Sequence, residues 1–314
     1  MEKRVLVVTG PTATGKSALS VALAQRLGGE VISADSMQIY RGMDIGTAKL
    51  TRGEMQGVPH HLLDVAEPSE AWSVARWVAA AAGAAEEIFG RGHVPILAGG
   101  TNLYIDSLLS GRDFAESGGG SALREALSAE YDRVGGEAFR AALRLVDPER
   151  AEKLHPADKK RLVRAMEVYR LTGETISAHD ARTRSLPPRW PSMRVALTYA
   201  DRADLYARID ARVDEMVAAG LFEETERLLA AGLAADSTAM QAIGYKESAD
   251  FLLGRCGREE AVEAIKLASR RYAKRQLTWL RRDAGLRWFV WEKTPDVSAA
   301  ADAVVRAWTD TAAE

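Results

Sequence analysis

A phosphate-binding loop is the clearest chemical signal in this sequence. The run G-P-T-A-T-G-K-S follows the apolar residues 5–8 and precedes a helical stretch. In such a loop, backbone N–H groups surround phosphate oxygens at a helix N-terminus. The lysine reaches the terminal phosphates, and the final hydroxyl is available to Mg²⁺. The residues assigned to phosphate binding are Gly10, Pro11, Thr12, Ala13, Thr14, Gly15, Lys16 and Ser17. The loop alone does not decide whether these phosphates belong to a nucleotide or to another ligand.

A carboxylate after the second β-prone segment is the next candidate for chemistry. Residues 30–34 form this segment, and Asp35 follows it directly. Ligands of open α/β sheets bind at the carboxyl ends of the strands, so we expect Asp35 beside the phosphate loop. There it could act as a general base or help to hold Mg²⁺ through water. Aspartate is also a preferred helix N-cap, so a structural role is an equal alternative on chemistry alone.

The elements that position these residues alternate between strand and helix. A helix is predicted over residues 74–89, and a buried strand over residues 94–98 runs into Gly99, Gly100 and Thr101. Residues 195–199 and 287–291 predict further strands. The alternation predicts an α/β fold: a P-loop core with a parallel sheet flanked by helices. The strand at 94–98 ends in glycines and lacks the aspartate that holds Mg²⁺ in many P-loop hydrolases, which disfavours an ordinary nucleotide hydrolase.

A helical insertion interrupts the α/β pattern. Residues 116–121 are linker-like, and charge-rich helical sequence follows as far as Leu186-Pro187-Pro188. We therefore expect a smaller all-helical domain over residues 113–193. Residues 1–112 and 194–314 are expected to form the α/β catalytic core with C-terminal helices.

Length and composition limit the function classes. A chain of 314 residues allows about two domains. Its net charge of -2 gives no global indication of nucleic-acid binding, so any basic surface must be local. The single cysteine, Cys256, excludes a disulfide framework and a cysteine zinc site within the chain. No segment has the apolar length of a membrane span, and strand-like sequence begins at Arg4, so we expect a cytoplasmic protein.

Several motifs along nearly the whole chain resemble, in content and order, those of the bacterial tRNA dimethylallyltransferases. After the phosphate loop they are D-S-M-Q-I-Y-R-G-M-D-I-G-T-A-K, P-H-H-L-L-D-V, G-G-T-N-L-Y, R-L-V-R-A-M-E-V-Y, Q-A-I-G-Y-K and A-K-R-Q-L-T-W-L-R. This family transfers the dimethylallyl group of dimethylallyl diphosphate to the exocyclic N6 amine of the adenosine 3′-adjacent to the tRNA anticodon, releasing diphosphate. The resemblance implies that the loop holds this diphosphate, with Mg²⁺ as cofactor at Ser17 and the anticodon stem-loop as partner.

The resemblance also assigns roles to single residues. It implies that Thr101 lies near the reacting adenine and that Arg208 is directed at the diphosphate. Because the attacking amine must lose a proton to a carboxylate within hydrogen-bond reach, Asp35 is the candidate base for this reaction. Without the resemblance, Thr101 would be interpreted as a helix N-cap and Arg208 as a solvated charge, with Arg212 on the same helix face. The residues that match tRNA contacts of the family are Asp35, Ser36, Met37, Gln38, Lys160, Arg161, Leu162, Val163, Arg164, Gln241, Ala242, Ile243, Gly244, Tyr245, Lys246, Lys274, Arg275, Gln276, Leu277, Thr278, Trp279, Leu280 and Arg281.

Several other residues have simpler interpretations. The basic residues between Arg270 and Arg282 lie largely along one side of a helix, which from charge alone favours a solvated face. His60 and His61 point in opposite directions on an extended chain, so they are interpreted as structural. The tryptophans Trp72, Trp77, Trp288 and Trp291 are expected in the core or at its rim.

Two other functions remain open at this point. A small-molecule or nucleoside kinase would share the phosphate loop and Asp35, would bind ATP, and would leave the basic helix unused. A non-catalytic RNA-binding module would keep the basic helix and tolerate the loss of Asp35. The expected enzyme is a Mg²⁺-dependent prenyl transferase that acts as a monomer.

Overall fold

The computed structural model describes residues 3–111, 121–184 and 186–310. The chain divides into two compact units, one formed by Met1–Leu108 with Trp190–Glu314 and the other by Leu109–Arg189. Most of the predicted linker, residues 116–120, lies outside the described residues.

The first unit is built on a six-stranded parallel sheet with the order β3-β2-β4-β1-β5-β6. Its strands are β1 (Val5–Thr9), β2 (Gly29–Ser33), β3 (His60–His61), β4 (Val94–Ala98), β5 (Ser192–Tyr199) and β6 (Arg287–Trp291). Strands β1 and β2 are buried along their whole length. Continuous burial of this kind is expected where helices cover both faces of a parallel sheet. The predicted α/β fold with a parallel sheet is confirmed.

Thirteen helices are assigned within the described residues. They are α1 (Lys16–Leu27), α2 (Val74–Gly90), α3 (Asn102–Leu109), α4 (Ser121–Val134), α5 (Gly136–Val146), α6 (Pro148–Lys153), α7 (Lys159–Thr172), α8 (Ile176–Arg184), α9 (Arg202–Ala218), α10 (Leu221–Ala230), α11 (Tyr245–Leu252), α12 (Arg258–Leu280) and α13 (Val297–Asp310). A 3₁₀ turn, Ala239–Gln241, precedes α11. Within the part of the chain that the structure describes, no helix combines the length and the apolar character of a membrane span.

Helices α4 to α8 form the second unit. Its core contains Leu127 of α4, Phe139 and Leu143 of α5, and Leu162 and Met166 of α7. This cluster is separate from the core of the first unit, so the second unit has an apolar interior of its own.

The strand order places three functional loops at one edge of the sheet. In the registers of the central strands, Val8 of β1 and Ser33 of β2 both pair with Ala98 of β4. The segments that follow these strands carry the phosphate loop, Asp35 and Thr101. They are therefore neighbours because the carboxyl ends of parallel strands share one edge.

Trp77 packs beside the carboxyl end of β2 at this edge. Its side chain is fully buried, stacks on Tyr104 at a centroid distance of 4.7 Å, and donates from Nε1 to the carbonyl oxygen of Ser33 at 3.2 Å. Truncating a buried tryptophan costs about 3–5 kcal/mol. Trp291 is also buried, whereas Trp72 and Trp288 are partly exposed, so the tryptophans occupy the core and its rim.

The opposite edge of the sheet holds a buried carboxylate. Glu30 of β2 accepts two hydrogen bonds from Arg91, each at 2.8 Å, and its oxygens lie 2.7 Å from ring nitrogens of His61 and His93. These partners, Arg91 foremost, lower the pKa of Glu30 to about 2. His60 contacts the carbonyl oxygen of Val58 at 2.9 Å. Both adjacent histidines thus have structural partners.

Candidate functional site

The phosphate loop adopts a backbone conformation in which N–H groups can converge. Ala13 and Gly15 have positive φ angles of 63° and 84°, and Gly10 has a φ of 145°. A Cβ atom on Gly10 would lie 2.6 Å from the carbonyl oxygen of Leu197. Alternating left- and right-handed residues form concave N–H surfaces that bind anions. Trp291 supports the loop by donating from Nε1 to the carbonyl oxygen of Thr14 at 3.0 Å.

Lys16 is held inside this loop. Its Nζ donates to the carbonyl oxygen of Pro11 at 2.6 Å. Burial, followed by the positive charge of Arg212, lowers the pKa of Lys16 to about 7, while Asp35 acts in the opposite direction. A cation that is desolvated and placed beside another cation favours the arrival of an anion. We refer to the cavity in front of it as the phosphate cavity.

The phosphate cavity has a volume of about 650 Å³. The loop residues from Thr12 to Ser17 line it, together with Asp35, Gln38, Arg208 and Arg212. Gly10 and Pro11 are buried beneath the loop and do not line the cavity. The cavity thus brings together most residues that were predicted to bind phosphate.

A second cavity of about 310 Å³ adjoins the first. Its wall is largely apolar and includes Met37, Ile209, Val213 and Ile265, with the segment 241–244 on one side. Six residues line both cavities: Thr12, Asp35, Thr47, Arg212, Met216 and Tyr272. Two ligands, one of them phosphorylated, could therefore meet at this boundary.

Asp35 lies at the boundary with one oxygen already engaged. Its Oδ1 accepts from the backbone N–H of Met37 at 2.8 Å and of Gln38 at 3.4 Å. Residues 36–39 form bends and a turn, and the next helix begins at Val74, so Asp35 closes a turn and does not cap a helix. These bonds hold the carboxylate where the two cavities meet. A general base must likewise be held within reach of the proton that it accepts.

Thr101 contacts the residue that follows Asp35 and lines neither cavity. Its Oγ1 accepts from the backbone N–H of Ser36 at 3.2 Å. The hydroxyl is thus turned towards the segment after β2, although α3 begins at the next residue. This contact holds the residue that follows Asp35.

Two arginines of α9 reach the phosphate cavity. Arg208 is exposed and lines only this cavity. Arg212, one turn further on, lines both cavities and donates to Oγ1 of Thr12 at 3.3 Å. Burial is the main cause that lowers the pKa of Arg212. Sequence reasoning gave Arg208 the diphosphate role and missed Arg212 as a site residue, although their four-residue spacing was the available signal.

Helix α12 contributes two further residues: Tyr272, which the sequence did not place in the site, and Gln276, which the sequence placed among the tRNA contacts and not beside the phosphate loop. Gln276 is 4% exposed, accepts from the backbone N–H of Thr12 at 3.0 Å, and donates to the carbonyl oxygen of Gly100 at 2.9 Å. Tyr272 lines both cavities, and burial is the main cause that raises its pKa to about 12. The tyrosine therefore keeps its proton at neutral pH and remains a hydrogen-bond donor.

The ranges predicted to contact tRNA mix surface and interior side chains. The side chains of Leu162, Val163, Tyr245, Gln276 and Leu280 are buried, so the geometry does not support direct contact through them. Arg164 is committed to an ion pair with the buried Glu167 at 2.7 Å. The exposed members of the ranges are Lys160, Arg161, Gln241, Lys246, Lys274, Arg275, Thr278, Trp279 and Arg281.

Fold and site together define an α/β P-loop protein with two adjoining cavities that share one carboxylate, Asp35. The family model described as IPP transferase matches residues 38–283, and the one described as isopentenyl transferase matches residues 3–69. The chain is 48% identical over 289 residues to a tRNA dimethylallyltransferase of Geobacillus kaustophilus, covering 92% of this chain and 91% of the relative. It is 44% identical over 304 residues to one of Pelotomaculum thermopropionicum, covering 96% and 95%.

Two solved structures are also similar to this chain. A tRNA isopentenylpyrophosphate transferase from Bacillus halodurans is similar with a TM-score of 0.74 and 39% identity, covering 99% of this chain and 98% of the other. A eukaryotic dimethylallyltransferase acting on tRNA is similar with a TM-score of 0.81 and 29% identity, covering 95% and 75%. The chain belongs to the IPP transferase family, that of the tRNA dimethylallyltransferases. The resemblance seen in the sequence is confirmed, and with it the activity of tRNA dimethylallyl transfer.

Proposed function

We propose that this chain transfers the dimethylallyl group of dimethylallyl diphosphate to N6 of the adenosine 3′-adjacent to the anticodon, releasing diphosphate. The observation that carries the proposal is the position of Asp35 between the phosphate cavity and the second cavity. The prenyl donor would occupy the first and the adenine the second. We further propose that the protein acts as a monomer in the cytoplasm.

The phosphate cavity suits a diphosphate leaving group. As the allylic C–O bond breaks, negative charge grows on the diphosphate oxygens, and fixed donors aimed at those oxygens lower the barrier. The loop N–H groups, Lys16, Arg208 and Arg212 would supply this stabilisation. Arg212 would stand closest to the adenine because it borders both cavities.

Magnesium fits the donor set of the same cavity. Ser17 offers a hydroxyl oxygen there, and no group of three or more metal-ligating side chains exists among the described residues. Most ligands of the ion would then be diphosphate oxygens and water, the pattern that Mg²⁺ prefers. When bound, Mg²⁺ supplies further positive charge to the leaving group.

Asp35 would take the proton that the adenine amine loses as it attacks the prenyl carbon. An aromatic amine is a weak base, so a carboxylate within hydrogen-bond reach is needed. The bonds from Met37 and Gln38 to Oδ1 would orient the carboxylate. Thr101 would act indirectly by holding Ser36.

The exposed basic residues are suited to contact the RNA outside the modified adenosine. Lys274, Arg275 and Arg281 lie on or just after α12 beside Trp279, and Lys160 and Arg161 lie on α7. We propose that they contact phosphates of the anticodon stem-loop, contacts that position an RNA without reading its sequence. An unpaired loop base can be splayed out into a pocket for a few kcal/mol of lost stacking.

Incubation with unmodified tRNA, Mg²⁺ and labelled dimethylallyl diphosphate tests this function. We expect label on the RNA without ATP. Labelled dimethylallyl diphosphate that remains intact while ATP is consumed would instead support a kinase. RNA binding with neither reaction would support a non-catalytic module.

A further inference from the structure

A buried carboxylate of α10 plays no part in the chemistry above. Glu224 is 3% exposed and lines neither cavity. It accepts hydrogen bonds from three successive backbone N–H groups, those of Asp44 at 3.1 Å, Ile45 at 3.0 Å and Gly46 at 3.3 Å. A buried charge is costly unless it is fully hydrogen-bonded, and bonds to an ionised acceptor are strong. Glu224 thus fixes the segment 44–46.

Tyr245 completes this arrangement from a distant part of the chain. Its hydroxyl donates to Oε1 of Glu224 at 2.5 Å. Its ring is fully buried against Gly46, where an added Cβ would lie 2.4 Å from the ring. Burial, with the charge of Glu224 beside it, raises the pKa of Tyr245, so the phenol remains a donor.

The two segments joined by this pair line the second cavity. Gly46 and the adjoining Thr47 represent the first segment there, and residues 241–244, which directly precede Tyr245, represent the other. Asp44, Ile45 and Thr47 also line the phosphate cavity, so the first segment borders both cavities, whereas residues 241–244 line the second cavity alone. The first segment is also tied to the candidate base. Gln38 donates to the carbonyl oxygen of Thr47 at 3.2 Å, and its own backbone N–H donates to Asp35 at 3.4 Å.

We propose that Glu224 and Tyr245 are positioning residues for the nucleotide substrate, holding the two segments that receive the adenine at the spacing that Asp35 requires. The inference rests on the proposed function, because it takes the second cavity as the adenine site. A glutamine at position 224 would not serve equally, since its amide offers one acceptor oxygen and brings two donors towards a row of N–H groups.

Three variants test the proposal. E224Q removes the charge, Y245F removes only the hydroxyl, and E223Q changes the exposed neighbouring glutamate as a matched control. We expect KM for tRNA to rise about tenfold or more in E224Q and a few-fold in Y245F, in line with lost hydrogen bonds to a charged group. In Y245F the dissociation constant for dimethylallyl diphosphate should stay within about twofold, because residues 241–244 line the second cavity and not the phosphate cavity. E224Q should raise that constant by a smaller factor than it raises KM for tRNA, and E223Q should match the parent protein.

The split between the two substrates separates positioning from a general structural role. Loss of affinity for both substrates in Y245F, or an unchanged KM for tRNA in both E224Q and Y245F, would overturn the proposal. If E224Q does not fold, Y245F decides alone. Failure of the parent protein and E223Q to prenylate tRNA would instead contradict the proposed function, so the two failures are distinguishable.

Discussion

Binding of the prenyl diphosphate should be accompanied by protonation of Lys16. Burial and the charge of Arg212 hold the pKa of Lys16 at about 7 in the free site, against an ordinary value of 10.5. At pH 8 about nine-tenths of such lysines are deprotonated. A bound diphosphate places negative charge beside Nζ and raises the pKa again. We therefore expect uptake of about 0.9 proton per diphosphate bound at pH 8.

Calorimetric titration in two buffers of different ionisation enthalpy measures this uptake. The affinity should be nearly constant below pH 7 and fall as pH rises above it, by up to about tenfold per pH unit, because the bound state holds the additional proton. The matched control is Lys16→Arg, whose guanidinium stays protonated and should show no uptake. Absence of uptake in the parent protein at pH 8, or equal uptake in the arginine variant, would refute the reasoning.

Three further predictions concern other parts of the molecule. Asp35→Asn should lower kcat by about 10²–10⁴-fold with tRNA affinity largely retained, and undiminished turnover in single-turnover assays would remove Asp35 as the base. Gln276→Ala should lower the free energy of unfolding by about 1–3 kcal/mol, because Thr12 and Gly100 each lose a partner, and should raise KM for the diphosphate. A stable variant with an unchanged KM would contradict that role. Glu30→Gln should lower the free energy of unfolding by about 3 kcal/mol at neutral pH, because the pKa of Glu30 falls from 4.5 to about 2 on folding. This contribution is present above pH 4.5 and disappears as pH falls towards 2, so urea denaturation at several pH values should show the difference shrinking in acid, and a constant difference would contradict it.

The sequence was informative wherever local pattern determines structure. The strands predicted over residues 94–98 and 287–291 are observed as Val94–Ala98 and Arg287–Trp291. The position of Asp35 beside the phosphate loop followed from strand-end topology alone.

The first residues of two strands differ from those predicted by the hydrophobic pattern, because contacts with other parts of the chain determine where these strands begin. Strand β5 begins at Ser192, before the predicted start at residue 195, because it pairs with β1 from Val5 onwards. Gly29 opens β2 in place of residue 30, at a point where an added Cβ would lie 2.7 Å from the carbonyl oxygen of Val94. Neither effect is visible in local hydrophobicity.

The contacts of Gln276 and Glu224 were missed because they depend on long-range packing. Gln276 and Thr12 are separated by 264 positions, and Glu224 and Asp44 by 180. Helical spacing places Gln276 on α12 but does not say which face of that helix meets the phosphate loop. A polar residue at such a position is indistinguishable from a surface residue until the packing is known.

The most direct test of the central claim is the stoichiometry of one reaction. Unmodified anticodon stem-loop RNA is incubated with dimethylallyl diphosphate, Mg²⁺ and ATP together, and both the released diphosphate and the nucleosides of the digested RNA are quantified. We predict one diphosphate released for each prenyl group on N6 of the adenosine 3′-adjacent to the anticodon, with ATP unchanged. Conversion of ATP to ADP with the prenyl donor intact would contradict the account.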